Sequence, residues 1–203
     1  YIERYEDYSN TLLAYYKMVK AEQPELPIFL LGHSMGGLIV TEYLIDHSAH
    51  FQGAIISAPL VMVPDHVNPL TIVAGKVLSV VAPKMGVVAV DPHSVSRDPE
   101  VVEAYINDPL VLHDKTPARL SAELLETIIR VNNEMEKITT PMMITQGSED
   151  KLVNPQGAEM LYQRASSMDK TLKVYEGLYH EVFNEPEHEQ VLGDVVDWLE
   201  ARL

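Results

Sequence analysis

Three residues in this chain have the types and positions needed for acyl transfer. Ser34 lies in "PIFLLGHSMGGLIV" (27–40), where a short apolar run meets a Gly-x-Ser-x-Gly turn and a second apolar segment follows. A strand, a sharp turn and a helix there would form a nucleophile elbow. Small flanking residues let the backbone close, and the hydroxyl is lifted clear of the sheet. The amino end of the following helix favours developing negative charge. The unreactive alternative is a tight strand–helix turn with a serine N-cap; the apolar strand and the extra Gly37 favour the elbow. Serine needs a base to take its proton, and the base needs an acid to orient it. The acid should lie just past the carboxyl end of a later strand. "MMITQGSEDKLVNP" (142–155) offers Asp150 there, with Glu149 as its rival and a loop-capping aspartate as the unreactive reading. The histidine should follow the last strand and precede the last helix, and "LKVYEGLYHEVFNEP" (172–186) places His180 there.

The remaining histidines fit less well. His33 adjoins the serine, but the geometry of the turn is expected to send neighbouring side chains elsewhere. His47 and His50 sit at a helix end, where an imidazole meets carbonyls. His66, His93 and His113 lie in or beside an insertion, and His188 is on the last helix. None has metal spacing such as His-Glu-x-x-His.

The elements that must position these groups follow from periodicity. Residues 2–20 read as an amphipathic helix with Ile2, Tyr5, Leu12, Tyr16 and Val19 on one side. Pro24 and Pro27 end it. Ile28–Leu31 and Gly53–Ala58 are short apolar runs of the kind found in buried parallel strands, with a helix from about Met35 to His47 between them. From Val63 to Lys137 helical segments are broken by prolines. Asp98-Pro99 and Thr116-Pro117 each read as an N-cap followed by proline at the first helical position. Leu124, Leu125, Ile128 and Ile129 give the last of these helices an apolar stripe. Strands then resume at Met142–Thr145 and Leu172–Tyr175, separated by a helix from Asn154-Pro155 to about Ser167. In a final helix after Pro186, Val191, Leu192, Val195, Val196 and Leu199 share a face. Alternating strand and helix argue for an α/β fold, a mostly parallel sheet with helices on both faces. The organisation expected is core residues 1–62, a helical cap over 63–137, and core residues 138–203.

Composition narrows the function. A chain of 203 residues is most simply one domain. A formal charge of −15 disfavours nucleic acid and anionic lipid headgroups as partners but leaves a neutral ligand unopposed. With no cysteine, disulfides, thiol chemistry and cysteine-ligated zinc are excluded. No secretory signal is visible. The most apolar window, "LTIVAGKVLSVVAPKMGVVAV" (70–90), is interrupted by Lys76, Pro83, Lys84 and Gly86. It reads as a surface helix with one greasy face, then a loop, and not as a membrane span. The chain opens at Tyr1 in a helical pattern, so a segment is expected upstream.

"FLLGHSMGG", "QGSEDKLV", "DKTLKVYEGLYHE" and, in the insertion, "SRDPEVVEAYINDPL" resemble the signatures of monoacylglycerol lipases, in the lysophospholipase-like branch of the α/β-hydrolases. The resemblance runs over essentially the whole chain, cap included. It implies Ser34 as nucleophile, Asp150 as orienting acid and His180 as base, with the Met35 N–H giving half of an oxyanion hole. It also implies Tyr105 near the glycerol end of a substrate and Leu60 along the acyl channel, against ordinary packing for both. A lipid ester is the implied substrate, with no cofactor or metal. The helix at Leu70–Val81 would form a lid able to touch a membrane surface transiently. The protein would then be cytoplasmic or peripheral to membranes. There are two departures. The family's longer amino-terminal segment, with its first strands and a His-Gly loop giving the second oxyanion donor, is absent. Loss of one such donor costs about 3 kcal/mol of transition-state stabilisation. Phe183 stands where some animal members have a histidine, so headgroup preference is open. Alternatives within the fold are a lysophospholipid, a short ester or a peptide amino terminus; outside catalysis, an inert acyl-binding remnant.

Overall fold

In chain order, the computed structural model contains α1 (Glu6–Glu22), β1 (Phe29–His33), α2 (Met35–His47), β2 (Gly53–Ser57), α3 (Pro69–Val81) and β3 (Gly86–Val88). These are followed by α4 (Pro99–Asn107), β4 (Thr116–Pro117), α5 (Ala118–Glu134), β5 (Met142–Gly147), α6 (Gln156–Arg164), β6 (Lys170–Tyr175) and α7 (His188–Glu200). Residues 1–63 and 69–203 are described; His66 lies outside them.

The frame is a sheet in the order β1-β2-β5-β6, every pair parallel. Side chains alternate between its faces, and the packing follows that alternation. Ala54, Ile56, Met142 and Ile144 face a core completed by α1, α2, α5 and α6, through residues such as Leu12, Leu44, Val131 and Leu161. Ile55 and Met143 face the other way, against Val195 and Trp198 of α7. The central strands β2 and β5 are buried along their whole length because both faces are covered. β1 is one edge of this sheet, with Leu31 exposed.

Two expectations need correction. Thr116-Pro117 does not cap a helix. Val88 pairs with Thr116 and Gly86 with Pro117 in a small antiparallel sheet, so the insertion is not wholly helical. The first N–H groups of α5 are then satisfied by chain carbonyls: Ala118 donates to Met85 at 2.8 Å and Arg119 to Pro83 at 3.0 Å. The Asp98-Pro99 signal did mark a helix start: the Asp98 carboxylate accepts from the Glu100 N–H at 2.9 Å. On α7 the buried stripe is Val191, Val195 and Trp198, whereas Leu192 and Val196 are exposed. Positions 192 and 196 lie one residue, about 100°, around from that stripe.

The insertion's first helix, α3, packs on α5, and Lys76 bridges to Glu126 at 2.8 Å. Leu70, Val73, Val77, Val80 and Val81 are left exposed on its other side.

Candidate active site

Ser34 stands at the carboxyl end of β1 and directly before α2. Its backbone has φ 54° and ψ −117°, a conformation that costs an L-residue roughly 1–3 kcal/mol. Three hydrogen bonds hold it there. The Ser34 N–H donates to the Ser57 carbonyl at 2.9 Å, and the Ser34 carbonyl accepts from Leu38 at 3.1 Å and Leu60 at 3.2 Å. The turn closes because Gly32 has no side chain: a Cβ there would sit 2.3 Å from the Gly36 carbonyl oxygen. The Ser34 hydroxyl makes no capping bond to α2. The N-cap reading needs that bond, so the geometry is that of an elbow. Met35 is the first residue of α2, where a helical N–H has no acceptor within its own helix.

Asp150 and His180 lie past the carboxyl ends of β5 and β6, at the same end of the sheet. His180 Nδ1 donates to Asp150 Oδ2 at 2.7 Å, and both side chains are buried. Oδ2 also accepts from Gln146 Nε2 at 2.9 Å, while Oδ1 accepts from the N–H groups of Leu152 at 2.8 Å and Val153 at 3.0 Å. Burial pushes this carboxyl up, but the bond and charge of His180 and the two backbone donors outweigh it and hold it below the usual range. Glu149, the rival, is exposed. The loops carrying the acid and the histidine are bonded together: Ser148 N–H donates to the Tyr175 carbonyl at 2.9 Å, Glu149 N–H to that of Leu178 at 3.0 Å, and Lys151 to the Tyr179 hydroxyl.

Contrary to expectation, His33 is turned toward this pair. Its ring centroid is 4.7 Å from that of His180, which brings the elbow and the histidine loop together. His33 Nδ1 is 3.0 Å from the Ser57 hydroxyl, and Nε2 faces Glu181 Oε1 at 3.4 Å. His50 is also placed differently, stacked on Tyr16 at 4.4 Å.

Several supporting groups escape sequence reasoning. Fully buried Glu185 accepts from the Arg97 backbone N–H at 2.7 Å and from its guanidinium, which also reaches Glu187. The Glu181 N–H donates to the Val95 carbonyl at 2.8 Å. The histidine loop is thus clamped to the insertion by residues 88 positions apart, and no local pattern reports such a pair. Gln146 offered a fainter signal, an amide closing an apolar strand.

The secondary candidates are placed as follows. Leu60 touches the elbow through its backbone N–H, and its half-buried side chain packs on the main core. Tyr105, on α4, sits edge-on to His113 at 5.9 Å. Burial and the nearby Glu181 carboxylate both raise its phenol pKa. Phe183 packs toward Trp198 and Val191, on the face served by α7. A cavity of about 470 Å³ separates the insertion from the two loops; Arg97, Lys151 and Tyr179 line it, and Ser34, Asp150 and His180 do not.

The family described as serine aminopeptidase S33 matches residues 1–187. A monoacylglycerol lipase from Mycolicibacterium smegmatis is 41% identical over 182 residues, 90% of this chain and 65% of that protein. A monoglyceride lipase from Rattus norvegicus is 35% identical over 205 residues, all of this chain and 68% of the relative. The chain thus spans about two thirds of the length of these relatives. Among solved structures, Paleococcus ferrophilus monoacylglycerol lipase superposes with a TM-score of 0.81 at 29% identity, over 93% of this chain and 74% of that one. The fold is that of the α/β-hydrolases.

Proposed function

The chain belongs to the serine aminopeptidase S33 family, and from that premise we propose that it is a serine ester hydrolase acting on monoacylglycerols. The observation that supports the reading is the buried His180–Asp150 pair at 2.7 Å, at the same end of the sheet as a strained serine at a strand–helix turn. With Nδ1–H committed to Asp150, the Nε2 of His180 is the free base. Ser34 Oγ attacks the ester carbonyl carbon as its proton passes to Nε2. The carbonyl oxygen takes the negative charge, and the Met35 N–H donates to it. His180 returns the proton to the glycerol oxygen as the C–O bond breaks, leaving the acyl group on Ser34. Water, deprotonated in turn by His180, releases the fatty acid. Asp150 fixes the tautomer and stabilises the transient imidazolium.

The substrate class comes from the relatives' names and is consistent with a neutral ligand for an acidic protein. Tyr105 is assigned to the glycerol end and Leu60 to the acyl path. The exposed apolar side of α3 is the part of the cap assigned to transient contact with a lipid surface. No helix among the described residues is long and apolar enough to cross a membrane.

The test is hydrolysis of a chain-length series of monoacylglycerols beside lysophosphatidylcholine and an amino-acid p-nitroanilide. Medium- or long-chain monoacylglycerols should be turned over best, and Ser34→Ala should lower kcat by roughly 10⁴-fold or more. Undiminished turnover in Ser34→Ala would remove the mechanism. Preference for the lysophospholipid or the anilide would replace the substrate.

A further inference from the structure

Glu181 follows His180 directly, yet its side chain is committed to other partners. Oε1 faces His33 Nε2 at 3.4 Å, and Oε2 accepts from Asn184 Nδ2 at 3.0 Å. A carboxylate can only accept, so the His33 nitrogen facing it carries the hydrogen. The other nitrogen, Nδ1, is 3.0 Å from the Ser57 hydroxyl. His33 is thereby held with Nε2 toward Glu181 and its ring 4.7 Å from that of His180. Two carboxylate–histidine pairs stand side by side: Asp150 with His180, and Glu181 with His33. His33 Nε2 is buried and makes no hydrogen bond of ordinary geometry among the described residues; Glu181 Oε1, at 3.4 Å, is the acceptor it faces.

Accepting the serine mechanism above, on which this step rests, we propose that Glu181 is a positioning residue. Through His33 it fixes the face against which His180 packs, and its charge favours the imidazolium that forms when Ser34 loses its proton. The groups facing Glu181 are His33 from the end of β1, His180 and Asn184 from its own loop, and Tyr105 from α4. Those facing His180 are Asp150, His33 and Glu181. Burial pushes the Glu181 carboxyl up, but His33, His180 and Asn184 together outweigh it and hold it below the ordinary value. It is therefore ionised throughout the neutral range. The Glu181 N–H bond to the Val95 carbonyl belongs to the backbone and survives any side-chain change, so a role limited to pinning the insertion predicts no effect of substitution.

Glu181→Gln keeps the shape and removes the charge. On a p-nitrophenyl ester it should lower kcat about tenfold with less than a twofold change in KM. The acidic limb of kcat/KM should move down by about 0.5 in pH, because a lost anion makes the neighbouring imidazole easier to deprotonate. Glu181→Asp should recover part of the loss. Superimposable pH profiles for the wild type and both variants would overturn the proposal. A second measurement needs neither a variant nor turnover: ring ¹⁵N shifts of His33 in the unmodified chain should report a hydrogen on Nε2. The Nδ1–H tautomer would overturn the proposal even in a folded, active protein. Failure of the serine mechanism itself appears separately, as unaltered turnover in Ser34→Ala.

Discussion

At Gly147 a methyl group would sit 2.2 Å from the Tyr179 carbonyl oxygen and 2.4 Å from that of Leu178. These are backbone atoms of the segment that delivers His180, so they cannot yield without moving the imidazole. Gly147→Ala is expected to cost about 3 kcal/mol, lowering Tm by roughly 10 °C, and to reduce ester turnover more steeply than stability. Gly193→Ala on α7 is the contrast. Nothing lies within 4 Å of its Cβ position, so it should stabilise by about 0.5–1 kcal/mol through helix propensity. Thermal melts with parallel ester assays check both. At this scale the sequence made legible the placement of Ser34, Asp150 and His180, each after a strand, and the pairing of the last two. It was illegible where a role depends on what arrives from elsewhere in the chain. Turn geometry alone sends His33 away from the site, but the His180 loop comes to meet it. Glu185 looks like any surface acid until Arg97 covers it.

Among the elements, α3 leaves a continuous apolar side to solvent. Val73 and Val77 are 58% and 57% exposed, on the side away from α5. Burying a valine from water gains about 1.5 kcal/mol or more, so the pair together is worth more than a tenfold change in lipid affinity. Val73→Asp with Val77→Asp should therefore weaken co-sedimentation with phosphatidylcholine vesicles by tenfold or more while leaving Tm unchanged. Equal sedimentation would remove α3 as the contact. The same periodicity that exposed this helix in the sequence misassigned α7. There, five apolar positions span a wider arc than the sheet face can cover, and Leu192 and Val196 are left outside. Thr116-Pro117 misled for a related reason, because a short antiparallel pairing with β3 used the backbone that a helix cap would have used.

For the molecule as a whole, the parallel order β1-β2-β5-β6 places residues 34, 150 and 180 at one end of the sheet. Parallel strands put all their carboxyl ends on one side, and the loops leaving those ends share it. That much follows from four apolar runs and the helices between them. The link between insertion and core does not, since it rests on Arg97 with Glu185 and on a backbone bond from Glu181 to Val95. The formal charge of −15 acts at this scale too, opposing anionic surfaces and leaving uncharged esters free to approach. In the proposed mechanism Ser34, Asp150 and His180 act as one unit. It is tested most directly by intact-mass and peptide mapping after treatment with a fluorophosphonate. A single adduct on Ser34 is expected in the unmodified chain, with a large loss of labelling rate in His180→Ala. No adduct, or an adduct on another serine at an undiminished rate in His180→Ala, would contradict it.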